Sequence, residues 1–155
     1  MKAFLLRHGI AEDGADDFNR NLSLEGRQEI KKLARFVNHH FKLTVVEIIH
    51  SGLIRAKQTA DIFAEEIKPV KGVYEGRALD PMADPNVWAK KLSGSGHDIM
   101  LVGHNPHLTR LAAILTSKND EQEIIKIKKG SLICLQPNND DGWSILWTLY
   151  PGLIK

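Results

Sequence analysis

Short apolar runs alternate with amphipathic helical patterns along this chain, and the alternation limits the fold more than any other feature. Residues 3–6, 45–49 and 99–102 each have the length and composition of a buried strand. A helical pattern follows each run, and strand–helix alternation is typical of a mainly parallel sheet with helices on both faces. The sequence therefore predicts an α/β fold in three layers, with residues 1–155 forming a single domain.

Three helices are predicted from apolar residues that recur at intervals of three, four and seven. The first covers about residues 24–41 with Ser23 as its N-cap, and the second is opened by Ser51 and ends before Pro69. The third begins at Asn105 as N-cap, with Pro106 in the first helical position. Residues 131–136 and 143–150 alternate like strands around a turn-rich segment, so a strand pair is expected at the sheet edge.

Composition narrows the classes of function. The 155 residues are 43% apolar, which is enough for one buried core, and the formal net charge is +2 with both signs mixed along the chain. No basic cluster is interleaved with aromatic residues, so nucleic-acid binding has little support. No apolar stretch approaches the roughly 20 residues of a membrane span, and the single cysteine, Cys134, fits a buried core thiol. We expect a cytoplasmic protein that does not bind membranes.

Side chains with catalytic potential follow all three apolar runs. In chain order they are Arg7, His8 and Gly9 after the first run, Arg55 after the second, and His104 and Asn105 after the third. In open α/β sheets, ligands bind outside the carboxyl ends of the strands. These side chains are therefore expected to line one crevice.

The residue types in this crevice suit a phosphoryl group. The guanidinium groups of Arg7 and Arg55 can bind non-bridging oxygens, and amide donors at the start of the helix after His104 add to them. A neutral imidazole at His8 can attack phosphorus and form a phosphohistidine intermediate. Its other ring nitrogen then needs a fixed acceptor, for which a main-chain carbonyl beside Gly9 is the candidate. His104, cationic when phosphate is bound, would stabilise the equatorial charge.

These motifs resemble those of the histidine phosphatase superfamily, and the small chain is most similar to its SixA-type phosphohistidine phosphatases. The matching elements are Arg7-His8-Gly9, then Arg20, Leu22, Ser23 and Gly26, then residues 51–60 around Arg55, and Val102-Gly103-His104-Asn105-Pro106. The resemblance implies a phosphoglycerate mutase-like fold and His8 as nucleophile. It also implies a phosphate pocket of Arg7, Arg55 and His104, with Gly9, Asn105 and Arg20 as further candidates for substrate contacts. No cofactor and no metal are expected.

The general acid is less well defined by the resemblance. Many relatives place a carboxylate in the segment that corresponds to residues 75–84 of this chain, where Asp80 is the first candidate and Glu75 the second. SixA-type members do not depend on a fixed acid there, because an imidazole leaving group is easily protonated whereas an alkoxide needs a positioned donor. An outward-facing Asp80 would therefore favour phosphohistidine as substrate.

Neighbouring charged side chains have simpler interpretations. The loop before Arg20 holds three aspartates, Asp13, Asp16 and Asp17. They are interpreted as solvating the loop, with the alternative that one of them orders Arg20. His104 and His107 have the spacing of two metal ligands on one helical turn, but no Cys or carboxylate cluster completes a site.

Three functions remain open from the sequence. The first is a metal-independent phosphatase that acts on phosphohistidine in signalling or phosphotransfer proteins. The second is a phosphatase for small esters, nucleotides or condensed phosphates that uses Asp80 or Glu75 as general acid. The third is a non-catalytic module that binds phosphorylated proteins. Only 48 residues separate Arg55 from His104, which leaves little length for a lid, so we expect an open site and a protein substrate.

Overall fold

One six-stranded sheet runs through the computed structural model, which describes residues 1–155. In chain order the strands are β1 (Ala3–Arg7), β2 (Glu47–His50), β3 (Val73–Glu75), β4 (Ile99–Gly103), β5 (Leu132–Pro137) and β6 (Trp143–Leu149). The helices are α1 (Leu24–Phe41), α2 (Ile54–Ile67), α3 (Asn86–Ser93) and α4 (His107–Ser117), and a short 3₁₀ helix spans Pro151–Leu153. The predicted α/β class is confirmed.

The order of strands in the sheet is β3-β2-β4-β1-β5-β6. The first four strands of the chain pair in parallel, and β5 runs antiparallel to both β1 and β6, so the predicted strand pair lies at one edge. The last pair between β1 and β4 is Arg7↔Gly103, and β2 ends beside β4 with His50↔Val102. The carboxyl ends of β1, β2 and β4 therefore lie next to one another, and the predicted motifs lie just beyond them.

Helices cover both faces of this sheet. Phe4 and Leu6 of β1 point into the core cluster formed with α1 and α2. Leu5 points to the other face, into the cluster formed with α3 and α4. Alternation of successive side chains is the ordinary consequence of strand geometry. The chain thus has the three layers that its strand–helix alternation predicts, and none of its helices combines the length and apolar character that crossing a membrane requires.

Helix α1 begins and ends where the sequence predicts. The Ser23 hydroxyl accepts the Gly26 N–H at 3.0 Å, which satisfies one of the free donors of the first turn. Gly26 is also required by a close approach, since a Cβ at that position would lie 2.1 Å from the Ile10 carbonyl oxygen. The start of α1 is thereby packed against the chain that immediately follows His8 and Gly9.

The predicted start of α2 is wrong. The helix begins at Ile54, and its N-cap Leu53 supplies no side-chain hydrogen bond. Ser51, which the sequence suggests as the cap, instead places its hydroxyl 2.5 Å from His104 Nε2. The Ser51 side chain therefore binds His104, which is distant in sequence, instead of capping α2.

The predicted start of α4 is wrong for a similar reason. The helix begins at His107, with Pro106 as N-cap, so Asn105 lies outside it and does not cap it. The Asn105 amide donates instead to the Ile127 carbonyl at 3.0 Å, across 22 residues of sequence.

Cys134 lies in β5, between β1 and β6, and is fully buried. Burial raises the pKa of its thiol to about 11. At neutral pH the side chain is therefore a protonated, apolar member of the core, as its sequence context predicts.

Candidate active site

Three side chains converge beyond the ends of the parallel strands. His8 follows β1, Arg55 lies in the first turn of α2, and His104 follows β4. Their exposed fractions are 6%, 4% and 2%, respectively. The rings of the two histidines lie 4.9 Å apart between centroids, and the Arg55 Nε–H donates to His8 Nε2 at 3.3 Å. The structure therefore brings together residues that are up to 96 positions apart in the sequence.

The ring of His8 is held in one tautomer. Its Nδ1 lies 2.7 Å from the carbonyl oxygen of Gly9, which can only accept, so Nδ1 carries the hydrogen. Nε2 then carries the lone pair that faces Arg55. Burial lowers the pKa of His8 to about 4 and the charges of Arg55 and Arg7 add to this, although the Gly9 bond opposes it. At neutral pH, His8 is a neutral imidazole whose Nε2 carries a lone pair.

Gly9 holds the end of β1 against the two helices beside it. Its N–H donates to the Thr59 hydroxyl at 3.2 Å, and that hydroxyl donates to the Arg55 carbonyl at 2.8 Å. A Cβ on Gly9 would lie 2.7 Å from the Ile30 side chain, so only glycine fits here without movement. In the structure Gly9 therefore positions its neighbours, and a contact between Gly9 and the substrate stays a prediction.

Asp17 connects Arg55 to a second arginine. Its main-chain carbonyl accepts from Arg55 Nη1 at 2.6 Å and its Oδ2 accepts from Nη2 at 3.2 Å. Its Oδ1 accepts from Arg20 Nε at 3.1 Å and Nη2 at 2.5 Å. These bonds, that from Arg20 foremost, lower the pKa of Asp17. The interpretation of this residue as a solvated loop aspartate is therefore wrong, and the alternative that an aspartate orders Arg20 is the arrangement observed.

One side of the site is covered by the chain that precedes α1. The connection between β1 and α1, residues 8–23, lies against the start of α2, where the Ile54 N–H donates to the Phe18 carbonyl at 3.2 Å. Gln58 holds the same connection by accepting from the Leu22 N–H at 2.8 Å. His8 and Arg55 are nearly buried, whereas the cavity lined by Arg7 and Asn105 is open, so the expectation of an open site stays a prediction.

His104 is the more deeply buried of the two site histidines. Its Nε2 is 2.5 Å from the Ser51 hydroxyl, and its Nδ1 is buried without a partner. Burial foremost, and then the nearby His8 and Arg55, lower the pKa of His104 to about 3. The ring is therefore neutral at neutral pH, and a neighbouring negative charge would favour its charged form.

Arg7 and Asn105 are held by the segment that precedes β5. Arg7 Nη1 and the Asn105 amide both donate to the Ile127 carbonyl, at 2.7 and 3.0 Å. Arg7 Nε and Asn105 Oδ1 are buried without partners, and burial lowers the pKa of Arg7. Both side chains line a cavity of about 410 Å³ beside the histidines.

The two candidate acids are not drawn into this arrangement. Asp80 is exposed, and its carboxylate makes no hydrogen bond or ion pair. Glu75, at the end of β3, is also exposed and lies beside Gly52, where an added Cβ would approach its Oε1 to 2.8 Å. Neither carboxylate contacts His8 or Arg55 through a hydrogen bond.

The remaining histidine of the motif region, His107, is fully buried and both of its ring nitrogens lack a hydrogen-bond partner. Burial lowers the pKa of His107 to about 4, as does the nearby Arg110. The side chains of the protein form no group of three or more His, Cys, Asp or Glu that could hold a metal ion.

The residues that sequence reasoning missed are those that hold the charged groups in place. Asp17, Ser51, Gln58 and Thr59 each contact a motif residue or the loop above it. Ser51, Gln58 and Thr59 all belong to the matched element around Arg55. The available signal for Gln58 and Thr59 was their position three and four residues after Arg55, on the same face of α2.

An α/β sheet that gathers imidazole and guanidinium groups at the carboxyl ends of its parallel strands is suited to binding a phosphoryl group. Residues 3–79 match the model of the histidine phosphatase superfamily (branch 1). Together with its fold, this match means that the chain belongs to the histidine phosphatase superfamily, and membership supports a phosphatase activity. No curated protein matches the sequence significantly.

Solved structures show the same fold. The protein histidine phosphatase SixA in complex with tungstate superposes with a TM-score of 0.89 at 21% identity, over 100% of each chain. A protein from Agrobacterium tumefaciens assigned as a phosphohistidine phosphatase SixA gives a TM-score of 0.78 at 22% identity, over 97% of this chain and 98% of that one. A mycobacterial glucosyl-3-phosphoglycerate phosphatase bound to inorganic phosphate gives 0.73 at 16% identity, over 97% and 98%. The phosphoglycerate mutase-like fold expected from the sequence is confirmed.

Proposed function

We propose that this protein hydrolyses phosphohistidine on signalling or phosphotransfer proteins in the cytoplasm, through a covalent phospho-His8 intermediate and without a metal. Residues 1–155 act as one domain in this proposal. The observation that carries it is the state of His8, a neutral ring whose Nδ1–H is fixed on the Gly9 carbonyl and whose Nε2 lone pair faces Arg55. A nucleophilic imidazole needs this tautomer and this protonation state.

Binding of the substrate begins with an exchange of partners at Arg55. In the structure its Nε–H donates to His8 Nε2, and its two other nitrogens donate to Asp17. Phosphoryl oxygens are stronger acceptors for a guanidinium group than an imidazole nitrogen is. The incoming phosphoryl group therefore takes over the Arg55 donors, and His8 Nε2 becomes free to attack.

The chemistry then proceeds in two displacements at phosphorus. His8 Nε2 forms a bond to phosphorus while the phosphorus–nitrogen bond of the substrate breaks, and the departing imidazole accepts a proton from solvent. Water next attacks phospho-His8, its oxygen forms the new bond to phosphorus, the bond to Nε2 breaks, and inorganic phosphate leaves. Arg7 and Arg55 neutralise the non-bridging oxygens in both steps, which is the electrostatic stabilisation that such transfers need.

His104 changes its charge during this cycle. Its ring is neutral while the site holds no anion, because burial and the neighbouring His8 and Arg55 lower its pKa to about 3. A phosphoryl group beside it adds negative charge and raises the pKa of His104. The ring then becomes a cation that stabilises the equatorial oxygens, and Ser51 at 2.5 Å holds its orientation.

The exposed position of Asp80 supports phosphohistidine over an alkyl ester. An alkoxide leaving group needs a positioned acid, whereas an imidazole leaves readily once it takes a proton from solvent. Asp80 is solvated and has no hydrogen-bond partner to hold it over the site. Similarity of fold to the SixA structures points the same way.

A second function, hydrolysis of small phosphate esters, is favoured by one observation. The mycobacterial structure of the same fold is a glucosyl-3-phosphoglycerate phosphatase. In this chain that function would require Asp80 or Glu75 to swing over the site as general acid.

Trapping the phosphoenzyme tests the proposal. A ³²P-labelled phosphohistidine carrier protein is mixed briefly with wild type, with His8→Ala and with the control His39→Ala, whose histidine is exposed at the end of α1. The expected result is a base-stable, acid-labile label on wild type and the control that is absent from His8→Ala.

Two results would contradict the proposal. Equal loss of label from the carrier with wild type and His8→Ala would remove His8 as the nucleophile. A carrier that stays labelled in all three mixtures, while wild type hydrolyses p-nitrophenyl phosphate, would favour the second function.

A further inference from the structure

Three lysines lie within four residues immediately before β5. Lys126, Lys128 and Lys129 are all exposed, whereas Ile127 between them is buried. The chain as a whole carries a net charge of only +2, so this is a local concentration of positive charge. This positive charge lies in a segment that is hydrogen-bonded to Arg7 and His8, so it lies next to the candidate active site.

Main-chain hydrogen bonds fasten this segment to the active site. The Ile127 carbonyl accepts from Arg7 and Asn105, as described above. The Gly130 N–H lies 3.1 Å from the carbonyl oxygen of Arg7 and 3.0 Å from that of His8. The lysines are therefore carried at a fixed place next to the reacting groups, and the charge of Lys129 is close enough to contribute to the low pKa of His8.

Two open cavities flank Lys128. One, of about 410 Å³, is lined by Arg7, Asn105, Thr109 and Lys126 among others. The other, of about 540 Å³, is lined by Ile10, Lys129 and Tyr150 among others. Lys128 lines both cavities. Its ammonium group lies 4.4 Å from the centre of the Tyr150 ring, and this cation–π contact holds the side chain between the two cavities. We call the three lysines and these two cavities the basic shoulder.

We propose that the basic shoulder binds acidic side chains of the substrate protein that flank its phosphohistidine. The proposal rests on the function proposed above, because it places the rest of the substrate beside a phosphoryl group held at His8. Exposed lysines next to a site select for carboxylates on the partner and accelerate its approach.

The walls of the cavities favour an acidic peptide over a polyphosphate. Glu123 lines the cavity beside Arg7, and Glu29 lines the other. A dense polyanion cannot avoid these carboxylates, whereas separate Asp or Glu side chains on a peptide can point toward the lysines alone. Both cavities are also larger than a single phosphate needs and have room for side chains.

Two synthetic phosphohistidine peptides of equal length test the inference. One carries Asp and Glu around the phosphohistidine, and the other carries Asn and Gln at the same positions. N-phosphoimidazole serves as a small substrate without flanking residues. The enzymes compared are wild type, K126E/K128E, and the matched control K68E/K71E, whose lysines are exposed just before the amino end of β3, at the opposite edge of the sheet. Lys129 is left unchanged because it acts on His8.

We expect wild type to prefer the acidic peptide about 5- to 10-fold in kcat/KM at low salt, since exposed ion pairs are individually weak. K126E/K128E should lose or invert this preference through KM and keep wild-type kcat on N-phosphoimidazole, while K68E/K71E keeps the preference. Added salt should reduce the preference in wild type.

Several results would overturn the inference. Equal rates of wild type on the two peptides would overturn it, and so would an unchanged preference for the acidic peptide in K126E/K128E. If wild type hydrolyses the two peptides equally and its lysines bind anionic phospholipid vesicles, the surface would instead be assigned to membrane binding. Failure of wild type to hydrolyse any of the three phosphohistidine compounds would instead count against the proposed function itself.

Discussion

Two connections at the carboxyl end of the sheet each contain an aspartate near the site. The first connection holds its aspartate by hydrogen bonds, and the second does not. Residues 8–23, between β1 and α1, fix Asp17 between Arg20 and Arg55 by four hydrogen bonds. Residues 76–85, between β3 and α3, leave the Asp80 carboxylate exposed and without a hydrogen bond. The first carboxylate is held ionised by its arginines, and the second is not held over the site.

Neither aspartate is suited to donate a proton to a leaving group. An aspartate whose pKa is lowered by arginines is a poor proton donor, and one without fixed partners is a poorly placed donor. Under the proposed function, the fixed charges of the site bind an anion and do not protonate a leaving group. That proposal fits a substrate whose leaving group accepts a proton unaided, such as phosphohistidine.

Removing the arginine that the first connection holds should have the largest effect. Arg55→Ala is expected to weaken inhibition by orthovanadate by about 10- to 100-fold, because a charge-assisted hydrogen bond contributes about 1.5–3 kcal/mol. The inhibition constant measured on N-phosphoimidazole checks this. Arg35→Ala, at an exposed arginine paired with Glu66, is the control and should leave it unchanged. Unaltered inhibition in Arg55→Ala would place Arg55 outside the anion site.

Lowering the pH should destabilise the protein through the histidines on both sides of the comparison. His8 begins the first connection, His104 feels the charge of Asp17 in it, and His107 lies near Asp80 and Asp84 of the second connection. The pKa values of the three histidines are lowered to about 4, 3 and 4, respectively. Below pH 6.5 these histidines bind protons in the unfolded chain but stay neutral in the folded protein. The free energy of unfolding therefore falls progressively from pH 6.5 toward pH 4. At pH 5 each of these histidines lowers the free energy of unfolding by about 2 kcal/mol.

Urea unfolding at pH 7.5 and pH 5.0 measures this loss. His107→Leu removes a buried ring without hydrogen-bond partners, so it should reduce the pH dependence by about 2 kcal/mol. The exposed His39→Gln should leave the dependence as it is in wild type. A pH dependence of His107→Leu equal to that of wild type would mean that His107 titrates normally in the folded protein.

Freeing the arginines of the first connection should have a smaller effect of opposite sign. In Asp17→Asn the carboxylate that competes with an anion for Arg55 and Arg20 loses its charge, so phosphate and vanadate should bind up to about 5-fold more tightly. Product inhibition by phosphate measures the change, with Asp13→Asn, an exposed loop aspartate, as control. Weaker binding in Asp17→Asn would show that the aspartate aligns Arg55 for the anion instead of competing with it.

The smallest effect is expected in the second connection. Asp80→Asn should change kcat on a phosphohistidine peptide by less than about 2-fold, compared with the 10²- to 10⁴-fold that a true general acid supplies. Glu75→Gln is the parallel variant and should behave in the same way. A loss of more than about 10-fold in either, with the fold intact, would identify a general acid.

Local patterns allowed much of the fold to be predicted. Helix α1 and its Ser23 cap depend on an apolar stripe and one hydroxyl, and β5 and β6 depend on alternation around a turn, so all were found within one or two residues. The starts of α2 and α4 were missed because the side chains of Ser51 and Asn105 bind His104 and Ile127, partners that are distant in sequence.

The site divides in the same way. The grouping of His8, Arg55 and His104 follows from strand order, because side chains after parallel strands meet at one edge of the sheet. The part played by Asp17 could not be derived, since a loop aspartate gives no periodic signal and its partners are set by how residues 8–23 fold back over α2.

The burial of Cys134 bears on how the protein withstands oxidants. Peroxide attacks thiolates that solvent can reach, and phosphatases that depend on such a thiolate lose activity when it becomes a sulfenic acid. In this chain the only sulfhydryl is sealed in β5 with its pKa raised to about 11, and the proposed nucleophile is a ring nitrogen that peroxide leaves intact. A phosphatase built in this way would continue to clear phosphoryl groups during an oxidative burst that silences thiol-dependent enzymes.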